Sequence, residues 1–132
     1  MTIDRHDPFD GALGFSLATR VGSLVYTAGM IGFDGATATV PSDLDDELRL
    51  LFSNLADVLK EMGTSFEHVL EQTSFLVGDP AVVYPAFERA RSEAFAGHPP
   101  ASTSVFVDAL VVPNAHCEVK LVAVVPDSSG EP

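Results

Sequence analysis

The sequence predicts a single α+β domain in which a mixed β-sheet carries both of its helices on one face. Three observations lead there. The chain has 132 residues and 46% hydrophobic content, which suits one domain with its own core. Two stretches show helical periodicity with clear end signals. Short β-branched and apolar runs precede, separate and follow them, in the order β-β-β-α-β-α-β-β.

Taken along the chain, "GFSLATRVG" and "SLVYTAGMIG" are short strand-like runs that meet at Gly22-Ser23, a hairpin signal. The first helix lies in "PSDLDDELRLLFSNLADVLKEMG". Ser42 is its expected N-cap, Asp43, Asp45, Asp46 and Glu47 supply first-turn acids, and Gly63 marks its stop. Leu44, Leu48, Leu51, Leu55, Val58 or Leu59, and Met62 recur in steps of three and four and so form one apolar face. Val69 to Val77 reads as a strand ending at Gly78-Asp79.

The second helix lies in "DPAVVYPAFERARSEAFAGHPP", with Asp79 as cap, Tyr84, Phe87, Ala94 and Phe95 as its stripe, and Gly97 then Pro99 as its end. Pro85 suits only a first turn, which places the regular part from Val82 or Val83 onward. "ASTSVFVDALV" and "CEVKLVAVVP" are the last two strands, with loops at "FDGATATVPSD" and "VVPNAH". The domain is expected over 1–132, with a core from about 14 to 126 and a frayed polar tail at 127–132. The second sheet face also carries apolar residues, and an uncovered apolar face invites a partner subunit.

Charge excludes several classes. Nineteen acidic against seven basic residues give −12, a field that repels nucleic-acid phosphates and anionic lipids. Arg5, Arg20, Arg49, Lys60, Arg89, Arg91 and Lys120 form no dense patch, so neither a nucleic acid nor a membrane is an expected partner. The opening "MTIDRHDPFDG" has no apolar centre and does not read as a signal peptide. No run approaches the roughly 18–20 apolar residues that span a bilayer. A cytoplasmic protein is the expectation. Cys117 is the single cysteine, which leaves no intrachain disulfide and no cysteine zinc cluster.

The chemistry-bearing residues are few. His6, His68, His98 and His116 show no metal-ligand spacing and there is no HExxH, so no metal is expected. Gly29 and Gly32 resemble half a phosphate loop, but turn glycines are the better reading. A Ser-His-Asp set can be drawn from Ser102 or Ser104, His116 and Asp108, without a GxSxG elbow to support it. Alternation puts Cys117, Val119, Leu121 and Ala123 on one face of the last strand, making Cys117 a small core residue. Glu118, Lys120, Val122 and Val124 share the other face. Glu118 is there either a partly desolvated carboxylate suited to acid–base work or half of a solvated rim pair with Lys120.

The ordered set "GSLVYTAGMIGFDG", "ELRLLFSNLADVLKEMGTSFEHVLEQTSFLVGD", "YPAFERARSEAFAGHPPASTSV" and "CEVKLVAVVP", from about Gly14 to Pro126, resembles the RidA (YjgF-like) reactive-intermediate deaminase family. The resemblance implies a chorismate-mutase-like sandwich, a mixed six-stranded sheet with two helices on one face, assembled as a homotrimer. Small-molecule ligands would bind in clefts between subunits, with no cofactor and no metal. Family members hydrolyse imines or enamines to carbonyl compounds and ammonia. A glutamate on the last strand, matched by Glu118, holds the attacking water. The family's carboxylate-clamping arginine, in a Pro-Ala-Arg-Ser stretch, is replaced by Ser102. A frequent tyrosine is replaced by Phe15, and an often small or cysteine position is Ser104.

Ser102 and Ser104 are expected to face the cleft and Thr103 away from it. Phe15 and Met30 would form apolar walls, and Lys120 a substitute cation. A serine hydroxyl offers one neutral donor in place of a charged planar fork, so a generic 2-imino acid is not the expected substrate. The leading expectation is therefore a RidA-like hydrolase of an imine, enamine or related reactive intermediate. A non-catalytic small-molecule or partner-binding trimer is the alternative. An endoribonuclease, a name sometimes attached to the family, sits poorly with the acidic charge and the missing basic groove.

Overall fold

In the computed structural model, which describes residues 1–127, the predicted leucine stripe becomes the inner face of helix α1 (Leu44–Glu61). Leu48, Leu51, Leu55 and Leu59 are each at most 1% exposed. The cap is Asp43 and not Ser42, its carboxylate accepting from the Asp45 amide at 3.2 Å. Either residue type can cap, and only the extended backbone at Asp43 decides between them.

Helix α2 (Pro80–Phe95) is capped by Asp79, as expected, but begins ahead of Val82. Pro80 occupies the first turn, where its missing N–H goes unnoticed, and Pro85 lies inside the helix. Pro85 and Ala81, the residue one turn earlier, are both exposed. The lost hydrogen bond therefore falls on the solvent side, which is why the helix tolerates it. Ala96 in a left-handed conformation and then Gly97 (φ 89°) end it.

The strands are β1 (Ile3–His6), β2 (Ala18–Val21), β3 (Leu24–Thr27), β4 (Met30–Ile31), β5 (Val69–Leu76), β6 (Ala101–Phe106) and β7 (Cys117–Val124). They form one mixed sheet in the order β1-β2-β3-β7-β5-β6, with the short β4 also paired to β7. Seven strands replace the six expected. The additional β1 is the charged "IDRH" segment, which pairs antiparallel with β2 and carries the sheet ahead of Gly14. Gly22-Ser23 makes the anticipated hairpin turn, with Gly22 at φ 60°. Only β5 and β6 run parallel, joined through α2. Of the expected tail, residues 128–132 lie outside the described residues.

One sheet face packs on the helices. Cys117, Val119, Leu121 and Ala123 of β7 meet Val25, Leu76 and Phe87 in that core, as the alternation predicted. Phe52, Phe66, Phe87 and Phe95 add an aromatic cluster, the Phe66 and Phe95 rings standing nearly perpendicular at 5.3 Å. The other face has no cover. Its register rows are Tyr26–Val122, Thr103–Thr73–Lys120 and Val105–Phe75–Glu118. Tyr26 and Val105 are exposed there by 44% and 41%, an apolar surface that water wets in the single chain.

Candidate functional site

β7 runs through the sheet with β3 and β4 on one side and β5 on the other, and it carries Glu118 on the uncovered face. The geometry around that carboxylate comes from a one-residue slip. Tyr26 faces Val122, whereas Met30 faces Val119: four steps on one strand against three on the other. Such a bulge bends the strand and re-aims its side chains. Within it the Thr27 hydroxyl accepts the Leu121 amide at 2.9 Å and donates to the Ala28 carbonyl. Gly29 follows. A Cβ placed there would lie 2.5 Å from Oε2 of Glu118, so the carboxylate rests in space that only glycine leaves free.

The slip also settles Met30. Strict alternation from Tyr26 would turn Met30 to the open face, but the extra residue sends it to the core, opposite Val119. Ile31 instead stands opposite Glu118. Met30 is thus not on the face of Glu118, contrary to the expectation that it walls a site there. Gly29 and Gly32 are also not turn glycines. Neither has positive φ, and each serves close approach, Gly32 to the backbone carbonyl of Glu47 in α1.

Ser102 and Ser104 are on the face opposite the one expected. Parallel pairing sets Ser102 beside Gln72 and Ser104 beside Ser74. Those partners are fully buried on the helix side. Thr103 is the residue that shares the Glu118 and Lys120 face. Sequence alternation fixed which residues of β6 share a face but not which face that is. The Ser74 and Ser104 hydroxyls are 2.6 Å apart, and Gln72 Nε2 donates to the Thr103 carbonyl at 3.3 Å. Ser102 is exposed and its hydroxyl donates to the Pro100 carbonyl at 3.2 Å. Lys120 is exposed, and Phe15 lies in the loop before β2 at 53% exposure.

Glu47 escaped the sequence reading altogether. It was one first-turn acid among several, yet it is fully buried. Its Oε2 accepts the amides of His116 at 2.6 Å and Cys117 at 3.3 Å, while Oε1 meets Nδ1 of His116 at 2.8 Å. Burial, and then the Glu47 charge, push the Cys117 thiol from 9.0 up to about 12. Cys117 is therefore a protonated core residue, with no nucleophilic character at neutral pH.

The groove of about 500 Å3 between α1 and α2 is lined by Leu48, Phe52, Ala86, Arg89 and neighbours. No predicted site residue lines it. Among the described residues no helix is long and apolar enough to cross a membrane.

Comparison with known proteins bears on the family and the fold. The family model described as Endoribonuclease L-PSP matches residues 6–125. The RutC family protein YjgH of Escherichia coli is 30% identical over 114 residues, covering 86% of this chain and 84% of that one. "Putative reactive intermediate deaminase TdcF", also of Escherichia coli, is 27% identical over 92 residues, 67% of this chain and 71% of its own. Among solved structures, YEO7 of yeast superposes with a TM-score of 0.83 at 22% identity, over 95% of this chain and 100% of that one. Matched along nearly its whole length in sequence and in fold, the chain belongs to the RidA/YjgF family.

Proposed function

We propose that this chain is a RidA-type hydrolase acting on an imine, an enamine or a related reactive intermediate. Glu118 is its water-orienting base. The observation that carries the reading is the Glu118 carboxylate seated over Gly29, held on a half-buried strand at a sheet face that has no cover within one chain. Glu118 takes a proton from water as the oxygen attacks the C=N carbon. The proton passes to nitrogen, and the carbinolamine collapses to a carbonyl with loss of ammonia. No cofactor enters this scheme.

The substrate is one that depends little on a carboxylate clamp. Ser102 holds the position of the family's arginine, and its hydroxyl is turned back to Pro100 O. A charge-assisted hydrogen bond contributes about 1.5–3 kcal/mol, and a lone hydroxyl does not replace a bidentate guanidinium. Three copies assemble through the uncovered faces, so that each ligand cleft lies between two subunits, near Ile31, Thr103 and Lys120.

Ammonia release tests the reading, using 2-aminoacrylate generated in situ beside a panel of neutral imines. Turnover on a neutral imine, abolished in Glu118→Gln, is the expected result. Full turnover in Glu118→Gln removes the catalytic assignment, and a monomer by light scattering removes the shared cleft.

Two residues favour a second reading, a trimer that binds small molecules without turnover. Ser102 supplies no cation, and Phe15 has no hydroxyl. Ligand-dependent thermal stabilisation with no ammonia above background selects it.

A further inference from the structure

Ahead of Glu118 the chain carries a carboxylate–imidazole pair that the proposed hydrolysis does not use. Glu47 is 0% exposed, while the His116 side chain is 40% exposed. The two residues are 69 positions apart and come from α1 and from the segment leading into β7. All three hydrogen-bond partners of Glu47 lie at the start of β7 or just before it: two consecutive backbone amides, of His116 and Cys117, and the His116 ring. With Glu47 ionised, the state its two backbone N–H donors favour, Nδ1 of His116 carries the hydrogen and donates it. Gly32, at the end of β4, packs against the Glu47 backbone, and β4 pairs its Ile31 with Glu118. The start of β7 and the β4 residue facing Glu118 are thereby both tied to one helical turn.

We propose that Glu47 is a positioning residue: it anchors the start of β7 and so sets where the Glu118 carboxylate sits, with His116 as the third donor of the anchor. This rests on the reading of Glu118 as the water-orienting group. Glu47 itself touches no ligand. It acts by denying β7 the freedom to slide or tilt, two positions before the residue that matters. Replacing it by glutamine keeps two acceptor contacts through Oε1 and presents an N–H to the ring, which forces the His116 proton from Nδ1 to Nε2. Replacing it by alanine removes the anchor.

NMR of the full chain, with 15N-labelled histidine and 13C-labelled glutamate, tests this at one fixed pH. In the unaltered protein Nδ1 of His116 should read as protonated, and Glu47→Gln should move the proton to Nε2 while the fold persists. Glu47→Ala should shift the Glu118 carboxyl signal and speed amide exchange at Cys117 at least tenfold. Leu55→Ala, a core truncation on the same helix, should leave the Glu118 signal in place. A bare Nδ1 in the unaltered protein overturns the proposal, as does a Glu118 signal that Glu47→Ala and Leu55→Ala move equally or not at all. Should Glu47→Ala not fold, Glu47→Gln decides through the ring proton: a His116 tautomer unchanged from the unaltered protein overturns the anchor. None of these readouts needs turnover. An inert Glu118 therefore ends the hydrolase reading without touching the anchor, and a failed anchor leaves Glu118 its role.

Discussion

Gly29 and Glu118 share one space: the volume that a side chain at position 29 would occupy is filled by the Glu118 carboxyl group. The backbone at Gly29 is not in the left-handed region, so alanine there strains no dihedral. It collides only with the far end of a flexible side chain. Gly29→Ala should therefore keep its stability to within about 1 kcal/mol while displacing Glu118. Turnover on an active imine, or ligand binding, should fall at least tenfold. Equal loss of folding stability and function would show that the glycine serves the fold instead.

Gly32→Ala tests the opposite case. The added methyl meets the Glu47 backbone carbonyl, which moves only if a turn of α1 moves with it. Overpacking of this kind costs about 1–3 kcal/mol. Denaturant unfolding should place Gly32→Ala well below Gly29→Ala in stability.

Cys117 predicts an alkaline limb. Its thiol is raised from 9.0 to about 12 in the folded chain, so the native state holds its proton where the unfolded chain has lost it. Stability from this group is complete below pH 9 and declines as pH rises toward 12, by at most about 1.4 kcal/mol per pH unit. Cys117→Ala should flatten that decline relative to the unaltered chain in parallel unfolding titrations. Thiol reagents at pH 8 should label Cys117 only after unfolding.

Ser102→Arg places a cation at an exposed position on the margin of the sheet, where substitutions usually change stability by less than about 0.5 kcal/mol. The variant should gain thermal stabilisation from small carboxylates such as 2-oxobutyrate, and ammonia release from 2-aminoacrylate should rise. No gain in either measurement would mean that position 102 does not reach the ligand.

The parts legible in the sequence were those with long periods. Eighteen residues of α1 repeat the same apolar step, and eight residues of β7 alternate strictly, so their faces could be read directly. A two-residue strand such as β4 has no period, and the bulge before it inverted the phase between Tyr26 and Met30. β1 was missed because its four residues, IDRH, show no apolar alternation, and its pairing, not its side chains, makes it a strand. Glu47 was hidden for a different reason. A carboxylate in a first helical turn is ordinarily solvated, and nothing local announces that Gly32 and residues 116–117 will enclose it.

Where copies assemble through it as proposed, the uncovered face of Tyr26, Phe75, Val105, Val122 and Val124 ties the durability of each molecule to how many others surround it. Removing apolar surface from water contributes about 25 cal/mol per Å2, and self-association realises that gain only at sufficient concentration. In that assembly mass action would make the melting midpoint climb with the amount of protein in the tube. Dilution becomes a denaturant.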